Sequence, residues 1–292
     1  MGELPENGVA RQIGVHSCSW VMPMIKANDI DVYYETRGAG SPLLLINGWG
    51  GNLNSWSPEM VDMLSESHLV IMMDNRGTGR SGKPDAPYTM ELMASDAAAM
   101  LDAIGVEKTH VMGFSMGGII TQCFGLNYPE RTLSLILCGT QPGGLHRISS
   151  DPKVMMDLAL VANPLPEMTE RDRTVKMLYL LYSVDYVEDN LETLIRDETY
   201  SEYPTPSYAL NRQSGAIAGF SSYDRLPEMK YPVLVMTGMD DVLVPPGNSE
   251  NLAERIPCAE LVRIPGCGHG FLKQKTGEAV QRILGFLDKV DG

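Results

Sequence analysis

Six short apolar runs punctuate this sequence, at residues 42–46, 69–73, 110–114, 133–138, 233–236 and 261–264, and helical patterns fall between them. The run at 42–46 is unbroken and lies close to Gly38, Gly40 and Gly48. That is the pattern of a strand buried on both faces, since a strand with one wet face would alternate apolar and polar residues. The stretches between follow the other period. Ser57 and Pro58 open one as N-cap and first helical residue, with Trp56 and Val61 placed to staple it. Met93, Ala97, Met100, Leu101 and Ile104 share a face in the next, and residues 116–127 read as a third helix closed by Pro129. A further helix is expected at about 249–256. In the last one, Ala279, Val280, Ile283, Phe286, Leu287 and Val290 face one way. Strands alternating with helices at this spacing predict an α/β fold, a mostly parallel central sheet covered by helices on both faces.

Two stretches depart from that rhythm. Residues 22–36 alternate apolar and polar side chains around Asn28-Asp29, which predicts an opening β-hairpin, and residues 1–21 before it read as an N-terminal extension. Between residues 141 and 222 no apolar strand run occurs, and helical patterns succeed one another between prolines. An inserted helical lid at 141–222 is expected there, dividing a core of residues 22–140 and 223–292.

Charge narrows the functional classes. The 292 residues carry 37 acidic and 23 basic side chains, a formal net charge of −14. No Lys/Arg cluster offers a nucleic-acid footprint, and the acidic balance disfavours anionic membrane surfaces. No apolar run reaches the ~18 residues of a membrane span, and the N-terminus lacks the apolar core of a signal peptide. Five cysteines form no C-x-x-C pair, which suits a reducing compartment, so a cytoplasmic protein is expected. Cys267 and His269 flank one glycine, but no second ligand cluster accompanies them, so no metal is expected. Without a Gly-rich phosphate loop or dinucleotide fingerprint, no cofactor is expected either.

The chemistry concentrates in a few turns. Gly113-Phe114-Ser115-Met116-Gly117 is a G-x-S-x-G motif between a predicted strand and a predicted helix. A nucleophile on such a sharp turn needs small neighbours, and that context favours Ser115 as a nucleophile over a passive turn serine. A serine hydroxyl needs a base, and the base an orienting carboxylate. His269 stands in the glycine-rich turn Gly266-Cys267-Gly268-His269-Gly270 after the 261–264 run, whereas His16, His68 and His110 precede the serine and read as structural or surface. His146 falls where the lid begins. For the acid, Asp240 and Asp241 follow the 233–236 run, and periodicity cannot choose between them.

With these motifs in order, the sequence resembles the α/β-hydrolase family, in its lidded esterase and lactonase branch, over nearly the whole chain from residue 22 to 288. The resemblance implies the α/β-hydrolase fold. Gly238-x-x-Asp241-x-x-Val244-Pro245 is similar to the family's acid segment and assigns the acid to Asp241. Residues 74–81 resemble its D-x-R-G-x-G-x-S loop, read here as a structural turn. Where the family usually carries His-Gly, this chain has Asn47-Gly48-Trp49-Gly50. The resemblance still implies an oxyanion hole from the backbone N–H groups of Trp49 and Met116.

The expectation is a cofactor-free serine hydrolase acting on a small-molecule ester or lactone, similar to 3-oxoadipate enol-lactone hydrolases. A C–C bond hydrolase, a perhydrolase and a non-catalytic ligand receptor are the alternatives on the same fold, and homo-oligomerisation is left open. Met155, Met156, Leu158, Leu160 and residues 177–182 give the lid an adaptable apolar face. Together with the net negative charge, that face predicts a preference for neutral substrates unless Arg147, Lys153 or Arg212 turns inward.

Overall fold

The computed structural model describes residues 23–199 and 202–292, so the extension at 1–21 lies outside the described residues. The hairpin around Asn28 is formed by β1 (Met24–Ala27) and β2 (Ile30–Arg37). Then come β3 (Ser41–Ile46), α1 (Pro58–Ser65), β4 (His68–Met73), α2 (Met90–Ala103), β5 (Thr109–Phe114), α3 (Met116–Asn127) and β6 (Thr132–Cys138). Four helices follow: α4 (Pro152–Ala162), α5 (Glu170–Leu181), α6 (Val184–Thr199) and α7 (Ser207–Gly219). The alternation resumes with β7 (Val233–Gly238), α8 (Gly247–Arg255), β8 (Ala259–Ile264), the short α9 (Phe271–Gln274) and α10 (Thr276–Asp291).

One sheet takes the eight strands in the order β1-β2-β4-β3-β5-β6-β7-β8. β2 lies antiparallel on β4, and from β4 to β8 all neighbours are parallel. The unbroken apolar runs now have their reason, because alternate side chains enter different cores. Leu44, Ile46, Ile71 and Val111 pack with Met93, Ala97, Ile120 and Phe124 from α2 and α3. Leu43, Leu45, Val70 and Met112 pack on the other face with Met60, Leu64, Ile283 and Leu287 from α1 and α10. Among the described residues no helix is long and apolar enough to cross a membrane.

The loop after β4 locks the hairpin to this sheet. Asp74 accepts the backbone N–H groups of Leu53 and Arg80 at 2.7 Å each, and Ser81 donates to the Asp74 carbonyl at 2.7 Å. Arg76 is buried and forks onto Asp96 of α2 at 2.8 and 2.9 Å while also reaching Asp29 of the hairpin turn at 2.6 Å. Burial alone would depress the guanidinium pKa. The hydrogen bonds it donates to Asp96 and Asp29, with their negative charges, outweigh burial and hold that pKa above its ordinary value. Removing the cation leaves Asp96 buried without its counter-charge, with only Asn28 Nδ2 still donating to it at 2.8 Å, which costs more than the pair itself contributes. Arg76→Met is therefore expected to destabilise the fold by about 3–5 kcal/mol in urea denaturation at neutral pH. The double variant with Asp96→Leu should recover much of that loss.

Candidate active site

β5 ends against the first turn of α3 with almost no space between them. A Cβ at Gly113 would collide with the carbonyl oxygen of Gly117, and one at Gly117 with the carbonyl oxygen of Ile46. Only glycines permit this approach, and the chain between them must turn sharply. Ser115 takes the strain with φ 56° and ψ −118°. Asn28 is the other non-glycine residue with positive φ among the described residues. Backbone strain of this kind costs roughly 1–3 kcal/mol and clusters at functional sites. Its result is a half-buried serine raised at the N-terminus of α3.

The neighbouring strands bring the partners. After β7, Asp241 Oδ1 accepts the N–H groups of Leu243 and Val244 at 2.9 and 2.7 Å, which leaves Oδ2 facing His269 Nδ1 at 2.6 Å. Both side chains are at most 3% exposed, whereas Asp240 points to solvent. Of the two aspartates that the sequence leaves open, Asp241 is the one that meets the imidazole. The ring rests against Phe114, with centroids 4.9 Å apart. At Gly139, which has φ +54°, a Cβ would sit 3.3 Å from the ring, so a larger residue there would press on it.

Ser115 and His269 line one cavity of about 720 Å³, with Trp49, Met116 and Asn248 among the other lining residues. The N–H groups of Trp49 and Met116 have no protein acceptor among the described residues. That of Met116 belongs to the positive end of α3. Asn47, the departure from His-Gly, stabilises its own loop. Its Oδ1 accepts the N–H of Gly48 at 2.7 Å, and its Nδ2 donates to the Asn52 carbonyl at 2.9 Å. Helix α7 braces the same loop: Gly50 donates to Gln213 at 2.9 Å and the Trp49 indole to the Leu210 carbonyl at 3.1 Å. Of the apolar lid residues singled out in the sequence, Met155, Leu158, Met177, Leu178, Leu181 and Tyr182 reach the cavity. Met156 and Tyr179 are exposed. Arg173, Thr140 and Gln141 also line it and carry no sequence signal beyond their helical or strand-end position.

A second serine, histidine and aspartate also meet. His110 Nε2 lies 2.9 Å from Asp291 and 3.1 Å from Ser41, while its Nδ1 lies 2.8 Å from Ser134. This group sits where β3, β5 and β6 begin, at the opposite end of the parallel strands from Ser115. Ligands of open α/β sheets bind at the carboxyl ends of the strands. His110 is fully buried, burial lowers its pKa, and neither it nor Ser41 lines the cavity. The set satisfies buried polar groups of the strand starts. Cys267, adjacent in sequence to the site, donates its thiol to the Ile264 carbonyl at 3.2 Å, and burial pushes its pKa up to about 12. Such a thiol stays protonated and is a poor metal ligand at neutral pH. Among the described residues no three His, Cys, Asp or Glu side chains are grouped to hold a metal ion.

A family model described as alpha/beta hydrolase fold matches residues 41–276. The chain is 34% identical over 275 residues to a protein of Azorhizobium caulinodans provisionally named carbamate hydrolase RutD, covering 92% of this chain and 100% of that one. It is 32% identical over 277 residues to the rhodomycin D methylesterase DauP of Streptomyces sp. (strain C5), covering 84% and 91%. Among solved structures, a malate-bound thermophilic esterase from Thermogutta terrifontis superposes with a TM-score of 0.78 at 26% identity, over 92% of this chain and 98% of that one. The enol-lactonase from Burkholderia xenovorans LB400 gives a TM-score of 0.78 at 24% identity, over 91% and 100%, and shares the fold.

The strand–helix contact makes a direct prediction. Gly117→Ala drives a methyl group against the Ile46 carbonyl oxygen, and the expected loss is about 3 kcal/mol, the upper end of the usual cost of overpacking. Gly285→Ala, in α10 with nothing near its Cβ, should instead gain roughly 0.5–1 kcal/mol. Thermal unfolding of the two variants checks the contrast. Equal midpoints would show that the turn tolerates a side chain.

Proposed function

We propose that this chain, which belongs to the α/β-hydrolase family, is a cofactor-free serine hydrolase that cleaves a carboxylic ester or lactone through an acyl-enzyme. One observation carries the reading: the strained Ser115 and His269, the latter held by the buried Asp241, line the same cavity. In the first half-reaction His269 Nε2 takes the Ser115 proton as Oγ bonds to the carbonyl carbon. Asp241 holds the Nδ1–H tautomer and compensates the imidazolium. The amides of Trp49 and Met116 receive the developing oxyanion, where fixed donors in a shielded site act most strongly. His269 then gives the proton to the leaving oxygen as its bond to carbon breaks. In the second half-reaction water attacks the acyl-serine with the same nitrogen as base, which releases the acid and restores Ser115.

A carbamate presents the same carbonyl to the same groups. Similarity to the protein named as a carbamate hydrolase supports it as a second substrate class, while similarity to the methylesterase supports the ester. The four helices between β6 and β7 act in this reading as a lid whose α5 and α7 wall the cavity.

Ser115→Ala is expected to abolish turnover of 4-nitrophenyl esters without shifting the thermal midpoint, and an organophosphonate should label Ser115. Ser41→Ala, at the opposite end of the sheet, should keep its activity. Asp241→Asn should lower kcat on the scale of ~10⁴, as loss of a triad carboxylate does, with Asp240→Asn costing far less. A label on Ser41, or equal losses from the two aspartates, contradicts the assignment.

A further inference from the structure

Resting on the serine-hydrolase reading above, we infer that the cavity contains an anion subsite formed by Arg173 and Arg147, which selects substrates carrying a carboxylate remote from the scissile carbonyl. Helix α5 turns Glu170, Arg173, Thr174, Met177, Leu178 and Leu181 to the cavity, a spacing that makes them one stripe. The other cations of that helix are occupied. Arg171 pairs with Glu192 and Lys176 with Asp157 at 2.7 Å, while Asp172 caps the helix through Thr169. Arg173 is half-buried and has no ion pair or side-chain hydrogen bond to any described residue. Glu170, at the exposed start of the stripe, is not paired with it.

Arg147 lies at the cavity rim on a fixed backbone. Ile148 beside it donates its N–H to Asn248 Oδ1 at 2.8 Å and accepts from Asn248 Nδ2 at 2.9 Å. Ser150 ties the same segment to the Leu243 carbonyl at 2.6 Å. Arg147 has no acidic partner among the described residues. Lys273 is a third basic residue on the wall, and Glu170 is the wall's carboxylate. The other two cations weighed from the sequence are spent elsewhere, Arg212 on Asp85 at 3.0 Å and Lys153 on Asp157 at 3.6 Å.

In a chain of net charge −14, carboxylates are plentiful, yet this wall carries two guanidinium groups with no acidic partner among the described residues. A local cation decides binding where the whole-molecule field only slows arrival, because charges in a shielded cavity interact far more strongly than charges across water. A guanidinium also holds a carboxylate through two parallel hydrogen bonds. Position sets the length of the substrate. Leu181 accepts the N–H of Gly270 at 2.6 Å, so the C-terminus of α5 abuts the histidine loop. Arg173 lies eight residues earlier on the same helix, roughly 12 Å along its axis. That separation suits a carboxylate remote from the scissile carbonyl and not one beside it. The expected preference for neutral substrates is thereby reversed.

The test compares kcat/KM for mono-4-nitrophenyl adipate and 4-nitrophenyl hexanoate, at low and high salt, in the full-length protein. The adipate half-ester is expected to win by tenfold or more at low salt. Arg173→Met should lower the anionic-to-neutral ratio at least tenfold, Arg173→Lys should retain part of it, and Arg147→Met at the wetter rim should lower it less. In parallel, calorimetry measures adipate binding to the Ser115→Ala protein with and without Arg173→Met. Preference for the hexanoate, or a ratio untouched by Arg173→Met, overturns the subsite. If neither ester turns over while Ser115→Ala binds adipate in an Arg173-dependent way, the subsite stands and the hydrolase reading fails. Absence of adipate binding overturns the subsite whatever the esters do.

Discussion

Everything at the candidate site depends on the contact between the end of β5 and the first turn of α3. Gly113, Gly117 and the carbonyl of Ile46 leave no room for a side chain, so the backbone between strand and helix must reverse within one residue. That residue is Ser115, held with a positive φ. The same close packing exposes the N-terminus of α3, where the Met116 amide, without a protein acceptor among the described residues, sits at the positive end of the helix beside the cavity. A looser contact would at once relax the serine and bury that amide. The strain is supported by the two apolar cores, since β3, β5 and β6 are fixed by packing on both of their faces.

Sheet direction separates two chemically similar groups. Both Ser115 with His269 and Asp241, and Ser41 with His110 and Asp291, bring hydroxyl, imidazole and carboxylate into one neighbourhood. The first set stands at the carboxyl ends of the strands, where residues of α4, α5 and α7 line a cavity. The second closes the strand starts, where a fully buried His110 satisfies Ser134 and Asp291. Residue types alone do not make a site. The accessible space around them does.

The helices between β6 and β7 meet the rest of the chain through specific hydrogen bonds. α7 braces the Trp49 loop through Gln213 and Leu210, and the end of α5 meets the histidine loop at Gly270. The helices that wall the cavity thus also position the amide and imidazole groups beneath them. Repacking these helices changes the cavity wall and shifts those groups at once, whereas the strand–helix contact below is set by its glycines.

Much of this was legible in one dimension. Unbroken apolar runs fix parallel strands buried on both faces, and G-x-S-x-G after such a run marks the strained turn, because both are local consequences of sterics and periodicity. His269 was nameable from its glycine-rich turn. The choice between Asp240 and Asp241 needed a motif from related proteins, since adjacent residues after a strand point to opposite sides and only the packed loop shows which side faces the imidazole. Asn47 read as a departure, and its role in closing its own loop emerged only from its hydrogen bonds to Gly48 and Asn52. The charge of the cavity was the least legible feature. Composition gives −14 and suggests an apolar, anion-averse pocket, but it cannot say which arginines find carboxylate partners. Arg171 and Arg212 do, while Arg173 and Arg147 have none among the described residues. That pairing is decided by contacts between residues far apart in the chain, so tertiary structure alone determines the local field.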